Sequence, residues 1–228
     1  MIIGNGLMAS AFIDDYRDDN RFVIFASGVS NSSETDDFLF SMEEILLRKI
    51  LQENEDKHIV YFTSFINPKK QKYIDHKIYM ENIIKHSDVF YTILKLPQVI
   101  GNGGNQNNLF NYIISNIKNN NTINIYNNVY RSLIDVEDVK KIVDILVKKW
   151  LDKNTHISFS HIEKLLVKDI VFLIAKKLNI KPVINMVDSE MYDFPERTLV
   201  ADCLIEHLGI IPEGYTERII NKYIEWKK

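Results

Sequence analysis

The stretch MIIGNGLMASAF, residues 1–12, decides the fold class of this chain. A short apolar run, Met1 to Ile3, is broken by Gly4-Asn5-Gly6, and Leu7 to Tyr16 then has the pattern of a helix. Strand, glycine turn and helix in this order are typical of α/β sheets that bind a phosphate at the helix N-terminus, where free N–H groups carry partial positive charge. A plain strand-to-helix turn is the alternative interpretation.

Strands and helices continue to alternate after this first unit. Apolar runs predict strands at residues 22–26, 58–62 and 91–96, and helical spacing of apolar residues predicts helices at 36–53 and 71–85. The apolar residues of these two helices are Phe38, Met42, Ile45, Leu46 and Ile50, then Ile74, Ile78 and Ile83. Alternation of this kind predicts a parallel sheet with helices on both faces.

The second half of the chain has a different pattern. Helices are predicted at 107–117, 136–150, 168–178 and 215–226, and strands at 122–126 and 181–187. We therefore expect an α/β protein with a reduced Rossmann-like domain over residues 1–150. A small C-terminal substrate lobe over residues 151–228 would be interleaved with it.

Composition narrows the class of protein. Hydrophobic residues make up 46% of the 228 residues and charged residues 26%, which is ordinary for a globular protein, and the net charge of -3 does not favour nucleic-acid binding. One cysteine, Cys203, excludes an internal disulfide and a cysteine-rich metal site. The N-terminus has no signal-peptide pattern, and no stretch approaches the ~18 apolar residues of a membrane helix. We expect a cytoplasmic protein with no metal, nucleic-acid or membrane partner.

Tyr73-x-x-x-Lys77 is a candidate acid–base pair. Residues four apart share one face of a helix, and a nearby lysine lowers the pKa of a phenol from its ordinary value of about 10. Thr63 and Ser64 end the preceding strand, where a hydroxyl could bind a substrate oxygen. The alternative is a surface helix with an unrelated tyrosine and lysine.

Two later segments are candidates for ligand contacts. Leu96-Pro97-Gln98-Val99-Ile100-Gly101 and the glycine- and asparagine-rich residues after it follow a strand, at the edge of the sheet where α/β proteins bind ligands. A loop without chemical importance is the alternative. In residues 131–139, Asp135 or Glu137 can cap the following helix, and Arg131 could hold a phosphate. A salt-bridged helix start is the alternative for Arg131.

Together these segments resemble the extended short-chain dehydrogenase/reductases, the family of NAD-dependent sugar epimerases and dehydratases. The resemblance covers most of residues 1–147. Residues 4–9 are similar to the family's glycine turn, 25–31 to its fourth strand and the loop along the cofactor, 94–101 to its "LRLPNVYG" segment and 131–139 to its "R-x-F-I-D-V-x-D-V" segment. Thr63-Ser64 is similar to its hydroxyl pair, and Tyr73 with Lys77 to its catalytic pair.

The resemblance implies a role for each candidate residue. Tyr73 would donate or accept the proton of a sugar hydroxyl, Lys77 would lower its pKa and hold the ribose, and Thr63 or Ser64 would orient the sugar oxygen. Contacts with NAD or NADP are implied for Gly4, Asn5, Gly6, Leu7, Met8, Ala26, Ser27, Gly28, Lys77, Leu96, Pro97 and Val99. Substrate contacts are implied for Ser30, Asn31, Asn108 and Arg131.

The activity implied is that of a nucleotide-sugar 4-ketoreductase or epimerase in surface-polysaccharide sugar synthesis. Phe65-Ile66 follows Ser64 where dehydratases commonly have Asp-Glu, which favours a reductase. One alternative is a non-catalytic protein that binds a dinucleotide or a sugar nucleotide, and another is a transferase that uses the glycine turn for a different nucleotide. The resemblance also suggests a homodimer through a helix pair, one helix of which carries Tyr73.

The chain departs from the family between its first two strands. Only residues 17–24 separate Tyr16 from the segment 25–31, where the family has two further strands. We therefore expect a sheet smaller by about two strands, with its edge beside the glycine turn. The adenosine end of the cofactor would be poorly enclosed, and discrimination between NAD and NADP weak. Arg17 and Arg21 are the nearby candidates for a 2′-phosphate, and both are otherwise solvated loop residues.

Overall fold

The computed structural model describes residues 1–29, 31–65, 71–106, 108–190 and 196–225. The helices are α1 (Leu7–Tyr16), α2 (Asp37–Glu53), α3 (Gln71–Lys85), α4 (Leu109–Lys118), α5 (Val136–Lys149), α6 (Val167–Leu178), α7 (Leu199–His207) and α8 (Tyr215–Glu225). The strands are β1 (Ile2–Ile3), β2 (Phe22–Phe25), β3 (His58–Ser64), β4 (Tyr91–Leu96), β5 (Gln98–Ile100), β6 (Thr122–Tyr126), β7 (Tyr130–Arg131), β8 (Leu133–Asp135), β9 (Thr155–Ser158), β10 (Leu165–Leu166) and β11 (Val183–Val187).

The chain divides into two compact units. Unit 1 contains residues Met1–Leu96 and Val136–Ser158, and unit 2 contains Pro97–Asp135 and Phe159–Lys228. Each unit is therefore built from two separate segments of the chain. The predicted NAD(P)-binding domain over residues 1–150, with an interleaved substrate lobe over residues 151–228, stays a prediction.

Unit 1 is built on a five-stranded sheet in the order β1-β2-β3-β4-β9. All neighbouring strands are parallel, and Ile3 pairs with Phe25 while Ser64 pairs with Leu96. The predicted parallel α/β sheet is confirmed, and β9 is a strand that the sequence analysis missed. Within the described residues β1 is the end strand of the sheet, as expected, and the glycine turn follows it directly.

Helices cover both faces of this sheet. On one face α2 and α3 pack on a core that includes Phe25, Leu47, Tyr61, Met80 and Ile93, each at most 1% exposed. On the other face, Phe12 of α1 stacks on Phe62 of β3 with 5.6 Å between ring centroids. The hydroxyl of Tyr16 in α1 donates to Oδ1 of Asp144 in α5 at 2.6 Å, which joins the two helices of that face.

The helix α2 that the apolar spacing predicts is present, but most of those apolar residues are exposed. Phe38, Met42 and Ile45 are 67%, 49% and 60% exposed. The stripe that packs on the sheet consists instead of Phe40, Glu43, Leu47, Ile50 and Leu51. The helix carries two apolar stripes, and periodicity cannot tell which of them faces the sheet. In α3 Ile78 is 47% exposed, whereas Tyr73, Met80 and Ile84 are buried.

Unit 2 contains three two-stranded pairings among its described residues. β5 pairs with β8 and β6 with β11 in parallel, and β7 pairs with β10 in antiparallel fashion. The buried carboxylate of Asp135, at the end of β8, accepts hydrogen bonds from Lys222 and Tyr223 of α8. Asp135 therefore connects β8 to the last helix of the unit.

Candidate functional site

The glycine turn packs closely against the residues that follow β2. Gly4 has φ +122°, and a β-carbon there would lie 2.5 Å from the carbonyl oxygen of Ala26. An L side chain at Gly4 would therefore be strained by its backbone angle and by this contact. The turn and the Ala26-Ser27-Gly28 segment thus lie side by side at the carboxyl ends of β1 and β2.

Gly6 occupies the N-cap position of α1, and it faces open space. Its φ is -87°, an angle that any residue adopts, and a β-carbon there would meet no atom within 4 Å. The first turn of α1 contains no acidic residue, and no side chain caps its N–H groups. Leu7 and Met8 begin this helix, so their N–H groups have no intrahelical partner. The turn therefore fits the pyrophosphate of a dinucleotide, with room at Gly6 for a phosphate.

Tyr73 and Lys77 come together in the interior of unit 1. Tyr73 lies in the first turn of α3 and is 6% exposed, and Lys77 is 7% exposed. The Lys77 ammonium lies 5.5 Å from the centroid of the Tyr73 ring. The pair is thus not on a solvated helix face, and the ammonium lies within cation–π distance of the Tyr73 ring.

Thr63 and Ser64 lie at the carboxyl end of β3. Thr63 is 4% exposed, and its Oγ1 has no hydrogen-bond partner within the described residues. Ser64 is half-buried and pairs in register with Leu96 of β4. A buried hydroxyl without a partner is costly, so Thr63 has a free hydrogen-bonding position that a ligand oxygen could fill.

Glu43 is the residue at this site that the sequence analysis missed. Its Oε1 accepts a hydrogen bond from Nζ of Lys77 at 2.7 Å, and its Oε2 lies 3.1 Å from Nε2 of His76. Burial acts to raise the pKa of the Glu43 carboxyl, but the hydrogen bond with His76 and the charge of Lys77 outweigh it, so the pKa is lowered. The sequence signal is a carboxylate at helical spacing between the apolar residues Phe40 and Leu47, but this signal does not identify the partners of Glu43 on α3.

The remaining cofactor-side and substrate-side residues of unit 1 have local roles. Asn31 accepts a hydrogen bond from the backbone N–H of Ser33 at 3.0 Å, and Ser30 lies outside the described residues. Leu96 is buried at the end of β4. Arg21 binds the Asp19 carboxylate through Nε at 3.0 Å and Nη2 at 2.7 Å on the surface, and Arg17 is exposed.

Four predicted residues belong to unit 2. Asn108 is the N-cap of α4 and accepts from the N–H of Asn111 at 2.8 Å, so its side chain already has a structural role. Arg131 donates from Nη1 to the carbonyl of Tyr130 at 2.7 Å. Val99 is half-buried in β5, directly after Pro97 and Gln98. Their contacts with a cofactor or substrate stay predictions.

No group of three or more histidine, cysteine, aspartate or glutamate side chains in the described part of the chain could hold a metal ion. Among the same residues, no helix is both long enough and apolar enough to cross a membrane.

Comparison with known proteins identifies the relatives of this fold. Residues 54–158 match the sequence model of the NAD dependent epimerase/dehydratase family, which confirms the resemblance drawn from the sequence. A search of curated proteins gave no match.

Three solved structures illustrate the likeness. The UDP-N-acetylglucosamine 4-epimerase of Methanobrevibacter ruminantium, in complex with UDP-N-acetylmuramic acid, is 15% identical, with 90% of this chain and 76% of that chain covered at a TM-score of 0.67. The UDP-glucose 4-epimerase of Thermus thermophilus, in complex with NAD, is 11% identical, with 92% of this chain and 77% of that chain covered at a TM-score of 0.66. RMD from Pseudomonas aeruginosa, complexed with NADPH, is 13% identical, with 91% of this chain and 82% of that chain covered at a TM-score of 0.65. At these identities the likeness shows the fold alone.

Proposed function

We propose that this chain is a shortened member of the NAD-dependent epimerase/dehydratase family, whose sequence model matches residues 54–158, and that it is a nucleotide-sugar oxidoreductase that uses NAD or NADP. Its reaction is the reduction of a 4-keto sugar or the epimerisation of a sugar, in the synthesis of surface-polysaccharide sugars. The solved relatives that act on or bind UDP-linked sugars support the substrate class. NAD and NADPH in two of them support the cofactor.

The observation that carries the proposal is the burial of Tyr73 and Lys77 together beside the sheet. The Lys77 ammonium lies 5.5 Å from the Tyr73 ring, on the helix that follows β3 along the chain. β3 ends in Thr63 and Ser64, and the Thr63 hydroxyl has no partner among the described residues. A phenol can act as a general acid or base, and a hydroxyl without a partner can hydrogen-bond a sugar oxygen.

The dinucleotide, when bound, supplies or accepts the hydride at the sugar carbon. Tyr73 gives its phenolic proton to the developing sugar alkoxide, or takes it in the reverse direction. Lys77, whose ammonium lies 5.5 Å from the centroid of the Tyr73 ring, would donate a hydrogen bond to the nicotinamide ribose. Thr63 or Ser64 holds the sugar oxygen in line with the Tyr73 hydroxyl.

The cofactor would be held by the two glycine-containing segments at the end of the sheet. The N–H groups that begin α1 would face the pyrophosphate, and Gly6 leaves open space beside them. Ala26, Ser27 and Gly28 would contact the dinucleotide from the neighbouring strand. For Asn108 and Arg131, contact with the substrate is implied by the family resemblance alone and stays a prediction.

Two measurements test this proposal. NADH and NADPH are titrated against the purified protein by calorimetry under the same conditions, and we expect binding of both with a preference below ~100-fold, worth roughly 2.7 kcal/mol. Nucleotide-linked 4-keto sugars and 4-epimers are then supplied with cofactor, and the products are identified by mass spectrometry. A protein that binds neither dinucleotide, or that binds one and turns over none of these sugars, is not the proposed enzyme.

The end position of β1 in the sheet favours one alternative, a non-catalytic protein that binds a dinucleotide or a sugar nucleotide. With β1 at the edge, one side of the adenosine end lacks the wall that a further strand would provide. This alternative predicts binding without turnover. Small molecules released from the purified protein on denaturation would then include the ligand but no converted product.

The exposed apolar residues of α2 and α3 support a homodimer. Phe38, Met42, Ile45 and Ile78 are between 47% and 67% exposed and lie on the two helices that pack together over one face of the sheet. We call these four residues the helix-pair face. Large apolar side chains grouped on adjacent helices mark an interaction surface. A second copy of the chain, presenting the same face, would cover them.

A further inference from the structure

Glu43 is a buried carboxylate that joins three parts of unit 1. Its side chain is 2% exposed, and its carboxylate contacts the Lys77 ammonium at 2.7 Å and the His76 ring at 3.1 Å. Oε2 also accepts the backbone N–H of Val29 at 2.8 Å. One side chain of α2 therefore binds both the helix of Tyr73 and the segment that follows β2.

Gly28 makes this arrangement possible. Its φ is +142°, and a β-carbon there would lie 2.4 Å from Oε1 of Glu43. Only glycine leaves room for the carboxylate to approach the backbone so closely that it reaches the N–H of Val29. The glycine and the glutamate are thus complementary, and the contact between them orders the segment beside the glycine turn.

Stability alone is a poor explanation for this buried pair. Two buried charges lose their hydration, and apolar residues of similar volume generally stabilise a core as well or better. The neighbours of Glu43 on the same stripe, Phe40, Leu47 and Ile50, are apolar and buried. The position of the carboxylate, next to one candidate catalytic group, indicates a role in the site.

We propose that Glu43 is a positioning residue, which holds the Lys77 ammonium and the Gly28-Val29 backbone in fixed relation for the nicotinamide-ribose end of the dinucleotide. This inference rests on the proposed function. The side chain of Lys77 is long and flexible. The Glu43 carboxylate accepts hydrogen bonds from Lys77 and from the backbone N–H of Val29, so it fixes both partners before the ligand arrives. Such preorganisation reduces the ordering cost of binding.

The test compares two ligands in Glu43→Gln. This variant keeps the volume and an oxygen for Val29, but it removes the charge that faces Lys77. We expect the affinity for NADH to fall about tenfold or more, because the ammonium is no longer held in place. ADP lacks the nicotinamide ribose, so its affinity should stay within about twofold.

Two further variants make the result decisive. Glu53→Gln is the matched control, since Glu53 lies on the same helix with an exposed side chain 3.8 Å from Lys49, and it should leave both affinities unchanged. Glu43→Asp keeps the charge with a shorter reach, so it should fold even where Glu43→Gln does not, and it should lose less NADH affinity than Glu43→Gln. Calorimetry gives all the constants, and thermal unfolding reports the fold of each variant.

The outcomes separate this inference from the proposed function. Selective loss of NADH affinity supports the positioning role. Unchanged NADH affinity in folded Glu43→Gln and Glu43→Asp, or equal loss for NADH and ADP, overturns it while the proposed function stands. A wild-type protein that binds neither NADH nor NADPH overturns the proposed function, and this inference with it.

Discussion

The backbone of Gly4 lies so close to Ala26 that a β-carbon on Gly4 would be 2.5 Å from the Ala26 carbonyl oxygen. Gly6, two residues later, has no atom within 4 Å of the same added carbon. The first glycine is therefore required by the fold, whereas the second leaves space that the protein itself does not use. This difference allows the structural and ligand-binding roles of the turn to be measured separately.

Substitution of Gly4 should lower the stability of the protein, whereas substitution of Gly6 should lower its affinity for the cofactor. Gly4→Ala should lower the free energy of unfolding by about 2 kcal/mol or more, because of its positive φ and the contact with Ala26. Gly6→Val should change it by only about 1 kcal/mol, but NADH affinity should fall at least ~100-fold because the side chain occupies the place of a phosphate. Urea unfolding and calorimetry measure the two quantities. Unchanged affinity in Gly6→Val would mean that the turn is purely structural.

Removal of the Tyr73 hydroxyl should abolish proton transfer without loss of the fold. We expect Tyr73→Phe to reduce turnover of the nucleotide sugar by about 10²-fold or more, since general acid–base catalysis contributes at least that factor. Tyr79→Phe is the control, because Tyr79 lies on the same helix and its hydroxyl bonds Glu44 at 2.8 Å. Steady-state rates at saturating cofactor provide the comparison, and equal activity of the two variants would contradict the assignment of Tyr73.

A charge on the helix-pair face should dissociate the dimer. Ile45 is 60% exposed on α2, and Ile45→Asp would place a carboxylate in the interface between two copies. We expect the dissociation constant to rise at least ~100-fold, about 2.7 kcal/mol. Leu199→Asp changes an 83% exposed residue of unit 2 and should leave the oligomeric state unaltered. Sedimentation velocity over a range of concentrations distinguishes these cases, and a wild-type monomer at high concentration would exclude the dimer.

Stability should fall as the pH drops below the ordinary pKa of histidine because of His58. Its Nδ1 lies 2.7 Å from the carbonyl of Leu151, and its Nε2 lies 2.8 Å from Oγ1 of Thr92. Burial lowers the pKa of His58 in the folded protein. The unfolded chain therefore binds more protons below the ordinary pKa of about 6.5, and the free energy of unfolding decreases as the pH falls toward the folded value.

His58→Gln should flatten this pH dependence by up to about 1.4 kcal/mol per pH unit. Some dependence should remain, because burial also lowers the pKa of His156. His86→Gln serves as the control, since His86 is exposed at the end of α3. Urea unfolding between about pH 5 and pH 8, a range that brackets the ordinary histidine pKa, measures how the free energy of unfolding changes with pH. Identical slopes for His58→Gln and wild type would rule out the role of His58.

Long periodic elements were predictable from the sequence, and short or irregular ones were not. The predicted bounds of α1, α3 and β6 are those observed, since each follows a clear apolar pattern and ends at a turn. β9, Thr155–Ser158, has one fully buried residue, Ile157, so no apolar run marks it. It is a sheet strand only because β4 offers it a free edge, which is a property of the tertiary structure.

The candidate site shows the same limit. Tyr73 and Lys77 could be paired from their spacing, because the helix alone places them on one face. Glu43 could not be connected to them, since α2 and α3 are brought together by the sheet. The sequence also could not show that Phe40 is buried while Phe38 is exposed, because α2 carries two apolar stripes.

The end position of β1 affects how a ligand at the glycine turn would bind. Ile2 and Ile3 pair with Ile24 and Phe25 on one side only, so within the described residues this strand has the fewest backbone partners in the sheet. Strands held in this way open locally at low free-energy cost, and their amides exchange readily with solvent. The apparent affinity of a ligand is then the intrinsic affinity multiplied by the fraction of molecules in which the strand is closed. Occupancy of the turn and protection of the Ile3 amide, which faces β2, against exchange would therefore rise together.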